Sequence, residues 1–186
     1  QYESFFDKVI EQLARQGVGI NNIPCQCKKL PAEEVQLEQL PEQIATNTLL
    51  IRFLTPCVRI KYRGQVFHEE IPFAALFCRL YDRVIALDNL YGDATLQETM
   101  DARTLKQSSA EISSIRLAGG YQRARRISTR TGQEIYLNGF VGIMKYTGDF
   151  SPYHRILPYL PWVNIGHSNC FGCGWCQYEF HGQKAD

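Results

Sequence analysis

From residue 48 onward the sequence predicts an α+β fold whose elements run strand, helix, two strands, helix, strand, the ferredoxin-like order. Three observations carry that expectation. The β-rich runs Thr48–Thr55 and Val58–Tyr62 precede the longest amphipathic stretch, which extends from Pro72 to Leu90. A strand-rich region from Ile112 to Tyr146 follows. A proline-interrupted helical segment then leads through a glycine-rich loop into a last alternating run, Trp175–Phe180.

The elements are justified in chain order. Phe5, Phe6, Val9, Ile10 and Leu13 recur at three- and four-residue steps with polar residues between them, so Tyr2–Gln16 reads as an amphipathic helix stopped by Gly17 and Gly19. Ile20–Leu30 contains a short strand with Pro24 near its entrance, which puts it at an edge or at the start of pairing. Pro31–Asn47 is rich in proline, glutamate and glutamine and reads as a linker, with a short strand at Val35–Leu37 and a boundary near Asn47. The strand from Thr48 is expected to stop at Pro56, and Val58–Tyr62 alternates into an Arg63-Gly64 turn. Pro72 suits the first turn of a helix whose apolar face runs through Phe73, Leu76, Phe77, Leu80, Tyr81 and Val84. Asp93–Ser109 is polar and partly helical. Ile112–Ala118, Arg125–Thr129 and Gln133–Tyr146 are strands, the last two joined by the Arg130-Thr131-Gly132 turn into a long basic hairpin. Pro158 and Pro161 prevent the segment begun by Pro152 from forming one regular helix.

Composition excludes several classes. With 186 residues and 45% hydrophobic content, the chain can bury one good core or one core and a small satellite. No apolar run approaches the ~18 residues of a membrane span, and no secretory leader opens the chain. Seven cysteines, an odd number, do not make a disulfide framework, so a reducing, cytoplasmic location is expected. A formal net charge of +1 demands no polyanionic partner, yet Arg116–Arg130 holds five arginines and no acid.

Four groups of residues carry candidate chemistry. Gly166, Gly172 and Gly174, beside His167, Ser168 and Asn169, form a loop whose backbone N–H groups suit phosphate oxygens; the plainer reading is a tight turn into an edge strand. Cys170, Cys173 and Cys176 have a spacing that can chelate zinc, although a fourth ligand would have to come from His167, His181, Cys25 or Cys27; the alternative, which we favour, is small buried residues and no metal or other cofactor. Arg123, Arg125, Arg126 and Arg130, with Lys145 across the hairpin, are either a solvated ribbon or a surface for RNA phosphates and unpaired bases, with Tyr121 and Tyr136 adding stacking surface. Among the histidines, His154 is the candidate for acid-base work, through Tyr153 or Lys145; a solvated histidine is the plainer reading, and His68 and His181 rank below it.

Five segments in order resemble the CRISPR-associated endoribonucleases that process precursor CRISPR RNA, within the RAMP superfamily. They are Leu49–Pro56, Ile71–Leu76 leading to Leu90-Tyr91-Gly92, Gly139–Gly142, Tyr146–Pro152 and Ile165–Gly174. The likeness runs from roughly Gly17 to Phe180 and is to the C-terminal half of that family. It implies a ferredoxin-like RAMP domain at 48–186, preceded at 1–47 by a helix-strand remnant of a second such domain and a linker. It also implies repeat-RNA binding at the glycine loop, and metal-independent cleavage in which the ribose 2′-OH attacks the adjacent phosphate, aided by a histidine that many members carry in their N-terminal domain. That position has no counterpart here. The family's usual lysine after the first loop glycine is His167, which is fully cationic only at lower pH. Expected partners are CRISPR repeat RNA and other CRISPR effector subunits, and no membrane. A homodimer stays open, because the apolar face of the first helix needs cover. The rival readings are a catalytically silent RNA-binding subunit and a metal-stabilised interaction module.

Overall fold

The computed structural model describes residues 2–16, 26, 36–128 and 131–182. The chain divides into two units, residues 1–36 with 128–133, and residues 37–127 with 134–186. In the first unit α1 (Tyr2–Gln16) forms over the expected amphipathic stretch, with Ile10 and Leu13 exposed. The strand expected within Ile20–Leu30 lies outside the described residues, apart from Gln26, which is in no strand. Gln36 and Leu37 are irregular, so the short strand expected at Val35–Leu37 is absent at those two positions.

The second unit is built on a four-stranded antiparallel sheet of β1 (Thr48–Cys57), β4 (Ser113–Gln122), β7 (Gly139–Thr147) and β8 (Cys176–His181), in the order β4-β7-β1-β8. With α2 (Phe73–Tyr91) between β1 and β4, and the segment Ser151–Val163 between β7 and β8, this is the ferredoxin-like β-α-β-β-α-β fold. Alternation decides which face is covered. Leu49, Ile51 and Phe53 of β1 and Met144 and Tyr146 of β7 are fully buried, whereas Leu50, Arg52 and Leu54 point to the other, partly open face. Phe73 and Phe77 of α2 pack with Tyr153, and Phe73 also meets Tyr146 and Phe150. These edge-to-face and tilted pairs close the core between helix and sheet.

The second helical position is filled by two 3₁₀ turns, Ser151–Tyr153 and Leu157–Tyr159, and by α5 (Leu160–Val163). Pro152, Pro158 and Pro161 each sit at the start of a piece, where a missing N–H costs nothing. The polar stretch before β4 contains α3 (Thr95–Glu98) and α4 (Ala102–Ser108), the latter capped by Asp101, whose carboxylate accepts from the N–H groups of Arg103 and Thr104. No helix among the described residues is long and apolar enough to cross a membrane.

Four local expectations are corrected. β1 does not stop at Pro56 but runs to Cys57. It tolerates the proline because Phe53 pairs with Gly142 and Cys57 with Phe140, a bulge that frees Pro56 from donating to the ladder. Val58 and Arg59 precede the next strand, which is only β2 (Ile60–Tyr62); it pairs with β3 (Gln65–Phe67) in a separate hairpin whose turn residues, Arg63 and Gly64, both have positive φ. Pro72 is the N-cap of α2 and lies before its first turn, in an extended conformation with its carbonyl accepting from Ala75 and Leu76. The hairpin after residue 112 is broken in two, with β5 (Arg125–Ile127) and β6 (Glu134–Tyr136) forming a ribbon distinct from β4 and β7.

Tyr146 ties strand to helix entry, since its buried hydroxyl donates to the Ile71 carbonyl at 3.0 Å. Burial pushes that hydroxyl's pKa far up, so it stays a donor. Tyr146→Phe should leave the Ile71 carbonyl unpaired and lower unfolding free energy by about 1–2 kcal/mol in denaturant titration, with an unchanged m-value.

Candidate nucleic-acid interface

The bulge in β1 positions the glycine loop. The Thr55 hydroxyl donates to the Gly172 carbonyl at 2.8 Å and accepts from the Trp175 N–H at 2.8 Å. Beside it the Pro56 carbonyl accepts from the Gly174 N–H at 3.0 Å, and the Val58 carbonyl accepts from the His167 N–H at 2.8 Å. The loop is thus laced to the strand it follows in space.

The three glycines have different jobs. A side chain on Gly174, at φ +81°, would place Cβ 1.8 Å from the Ile165 carbonyl oxygen, and one on Gly166, at φ +95°, would lie 2.6 Å from that of Val58. Both glycines are spent on close packing within the chain. Gly172, at φ +78°, faces open space. Between them Ser168 takes the left-handed conformation and starts a 3₁₀ turn, Asn169–Phe171. The N–H groups of Phe171 and Gly172 close this turn, while those of Ser168, Asn169 and Cys170 have no acceptor among the described residues. Asn169 Nδ2 donates to the Asn164 carbonyl at 3.2 Å, and its Oδ1 is buried without a partner among the described residues. Consecutive free N–H groups around a left-handed residue form a concavity suited to an anion.

The basic ribbon comes to the same surface. The Arg126 guanidinium of β5 sits 4.5 Å from the centroid of the Phe171 ring in the loop. Arg125 pairs with Glu134 at 2.9 Å, and the Tyr136 hydroxyl donates to the other oxygen of that carboxylate at 2.7 Å. This bond to an acceptor that needs the hydroxyl proton raises the Tyr136 pKa. Arg123 and Arg126 have no carboxylate partner among the described residues. Where the ribbon leaves β4 and β7, an open groove of about 550 Å³ is lined by Tyr121, Arg123, Ala124, Arg125, Tyr136 and Asn138.

Not every predicted residue joins this surface. Arg130 lies outside the described residues. Lys145 pairs with Ile115 and Leu50 in mid-sheet, on the face opposite Met144 and Tyr146, so it belongs to the open sheet face rather than to the ribbon. His154 ends the 3₁₀ turn Ser151–Tyr153; its Nδ1 lies 2.8 Å from the Ser151 carbonyl, and since a carbonyl only accepts, Nδ1 carries the proton. Tyr153 turns inward, its hydroxyl 2.9 Å from that of Ser108, so no proton-transfer pair forms with His154.

Cys170 is exposed while Cys173 and Cys176 are buried, and burial holds the latter two thiols above their ordinary pKa and so neutral. Among the described residues no three His, Cys, Asp or Glu side chains are arranged to hold a metal ion. Cys57, from the β1 bulge, lies near both Cys173 and Cys176 and is likewise pushed up by burial. Sequence reasoning missed Phe171, Glu134 and Asn138. An aromatic ring inside a glycine loop was a legible signal for Phe171, whereas the roles of Glu134 and Asn138 depend on cross-strand register.

The family model for the CRISPR-associated endoribonuclease Cas6 matches residues 51–176. Thermus thermophilus Cas6 is similar in structure at 15% identity, over 74% of this chain and 55% of that one, with a TM-score of 0.47. The product complex of that Cas6 is similar at 12% identity, over 94% and 70%, with a TM-score of 0.56. A partial Cas6-RT-Cas1–Cas2 complex is similar at 12% identity, over 99% of this chain and 34% of that one, with a TM-score of 0.51. At these identities the likeness is one of fold. The chain spans about half the length of the first solved structures it matches. No curated protein sequence matches it.

Proposed function

The chain belongs to the CRISPR-associated endoribonuclease Cas6 family, and from that premise we propose that it binds CRISPR repeat RNA with one surface formed by the β5–β6 ribbon and the glycine loop. The observation that carries this reading is the stacking of Arg126 on Phe171, which joins the two regions. Arg123 and Arg126, without a carboxylate partner among the described residues, then meet phosphates as cations, and the N–H groups of Ser168, Asn169 and Cys170 add neutral donors beside them. His167 is exposed at the loop's edge and adds a ring N–H to the same surface.

In this reading residues 48–186 are the RNA-holding domain, and residues 1–47 are the end of a preceding ferredoxin-like domain with its linker. Cleavage, supported by a complete N-terminal domain, runs without metal. The ribose 2′-OH loses its proton to a base and forms the new P–O bond, the 5′-oxygen leaves and takes up a proton, and a 2′,3′-cyclic phosphate remains. The tethering of His154 Nδ1 to the Ser151 carbonyl, with the Tyr153 hydroxyl turned to Ser108, favours a second reading in which this chain holds RNA and does not cut it. The likeness in fold to a Cas6-RT-Cas1–Cas2 complex supports assembly with other CRISPR subunits, and a cytoplasmic place of work is part of the same proposal.

Filter binding to a structured repeat RNA should weaken steeply with salt, log K falling by about 0.7–0.9 per log unit of salt for each phosphate contacted. A flat response overturns the interface. The same RNA incubated in EDTA separates the two readings: cleavage that persists and is abolished by one histidine-to-alanine change identifies an enzyme, and intact RNA identifies a binder.

A further inference from the structure

The break between the two ladders of the hairpin is more than a kink. At this point the Asn138 side chain replaces a strand partner, its Oδ1 accepting from the Ala124 N–H at 3.0 Å while the Leu137 N–H reaches the Ala124 carbonyl at 2.8 Å. Asn138 Nδ2 has no acceptor among the described residues and remains a donor at the groove wall.

Both tyrosines of the groove are exposed yet held. Tyr136 is 62% exposed with its hydroxyl fixed by Glu134. Tyr121 is 37% exposed, its ring at 88° to that of His68 with centroids 5.5 Å apart. Arg123 adds a guanidinium with no carboxylate partner among the described residues. Two pre-oriented aromatic rings, a guanidinium and an amide donor in about 550 Å³ match the chemistry of a single nucleotide: rings for the base, guanidinium for its phosphate, amide for a base acceptor. A duplex cannot use these groups, because in A-form RNA the base faces are hidden in the stack.

We propose that the groove at the ribbon break is a pocket for one unpaired nucleotide of the bound RNA. It is distinct from the phosphate contacts at Arg126 and the glycine loop, and it rests on the RNA-binding reading given above. The pocket gives the surface a preference for RNA with an unstacked base next to a helical segment.

The test uses this chain, a short single-stranded oligoribonucleotide carrying one fluorescent adenine analogue, and the same strand annealed to its complement. On binding, the single strand's analogue should be quenched by wild type and by Tyr136→Phe, which keeps the ring, but not by Tyr136→Ala. Tyr136→Ala should weaken single-strand binding roughly tenfold and leave duplex binding within about twofold, the stacking of one base being the interaction lost. Circular dichroism of each variant checks the fold. Salt-sensitive RNA binding that is the same in wild type and Tyr136→Ala, or an equal loss for both RNA forms, overturns the pocket and leaves the wider interface standing. Failure of wild type to bind either RNA overturns the interface and the pocket with it.

Discussion

Gly174→Ala is expected to cost more than about 4 kcal/mol of unfolding free energy, whereas Gly172→Ala, two residues away, costs about 1–2 kcal/mol. Both glycines have positive φ, +81° and +78°, so backbone strain is common to both substitutions and cannot produce the difference. Space does. A Cβ at Gly174 would lie 1.8 Å from the Ile165 carbonyl oxygen, and relief requires moving the backbone there. That movement breaks the bond from the Ile165 N–H to the Gly174 carbonyl, at 2.7 Å, and the bond from the Gly174 N–H to the Pro56 carbonyl, at 3.0 Å. At Gly172 nothing lies within 4 Å, so only the left-handed backbone penalty remains. Thermal and denaturant melts of the two variants, run side by side, check the prediction. Equal losses would mean that the loop is free to shift and that its seat on β1 is weaker than the geometry implies.

Arg123→Gln combined with Arg126→Gln should weaken repeat-RNA binding roughly 150- to 25,000-fold at moderate salt. Each lost charged hydrogen bond contributes about 1.5–3 kcal/mol, and neither cation has a carboxylate competing for it among the described residues. The salt slope should fall by about 1.4–1.8, from two phosphate contacts removed. Stability should change little. Arg126 leaves its place over the Phe171 ring, an exposed cation–π contact that contributes about 0.5–1 kcal/mol. Arg125→Gln is the informative control: its guanidinium is shared with Glu134 at 2.9 Å, so its loss should weaken binding less than that of Arg123. Titrations at several salt concentrations distinguish a lost charge from a distorted fold, because a distorted fold would not change the slope by a fixed amount per arginine.

The fold was legible where one physical signal dominated. The helical periodicity of Phe73 to Val84 needed no tertiary information, and the α2 helix lies where that pattern put it. The proline spacing from Pro152 to Pro161 foretold broken helix and received it. Pro56 misled, because its missing N–H is tolerated inside β1 only through a bulge, and a bulge is a property of two paired strands. The length of the basic hairpin misled for a similar reason. Strand propensity runs on without a break from Gln133 to Tyr146, while the ladder is interrupted by the Asn138 side chain.

The candidate site shows the same division. Arginine clustering and the glycine loop stand out in sequence as two separate regions with two plain readings each. Their union depends on Arg126 meeting Phe171, 45 positions later in the chain, a contact that follows from sheet order and not from spacing.

By itself, then, the sequence determined the order of the elements, the family resemblance and the residue types available for RNA, because periodicity, turn chemistry and local charge are short-range properties. The tertiary structure decided which glycines serve packing and which face solvent, which arginines lack partners, and where the ribbon opens beside Tyr121 and Tyr136. Those outcomes depend on strand register and on the β1 bulge, which set atoms distant in sequence within a few ångströms of one another.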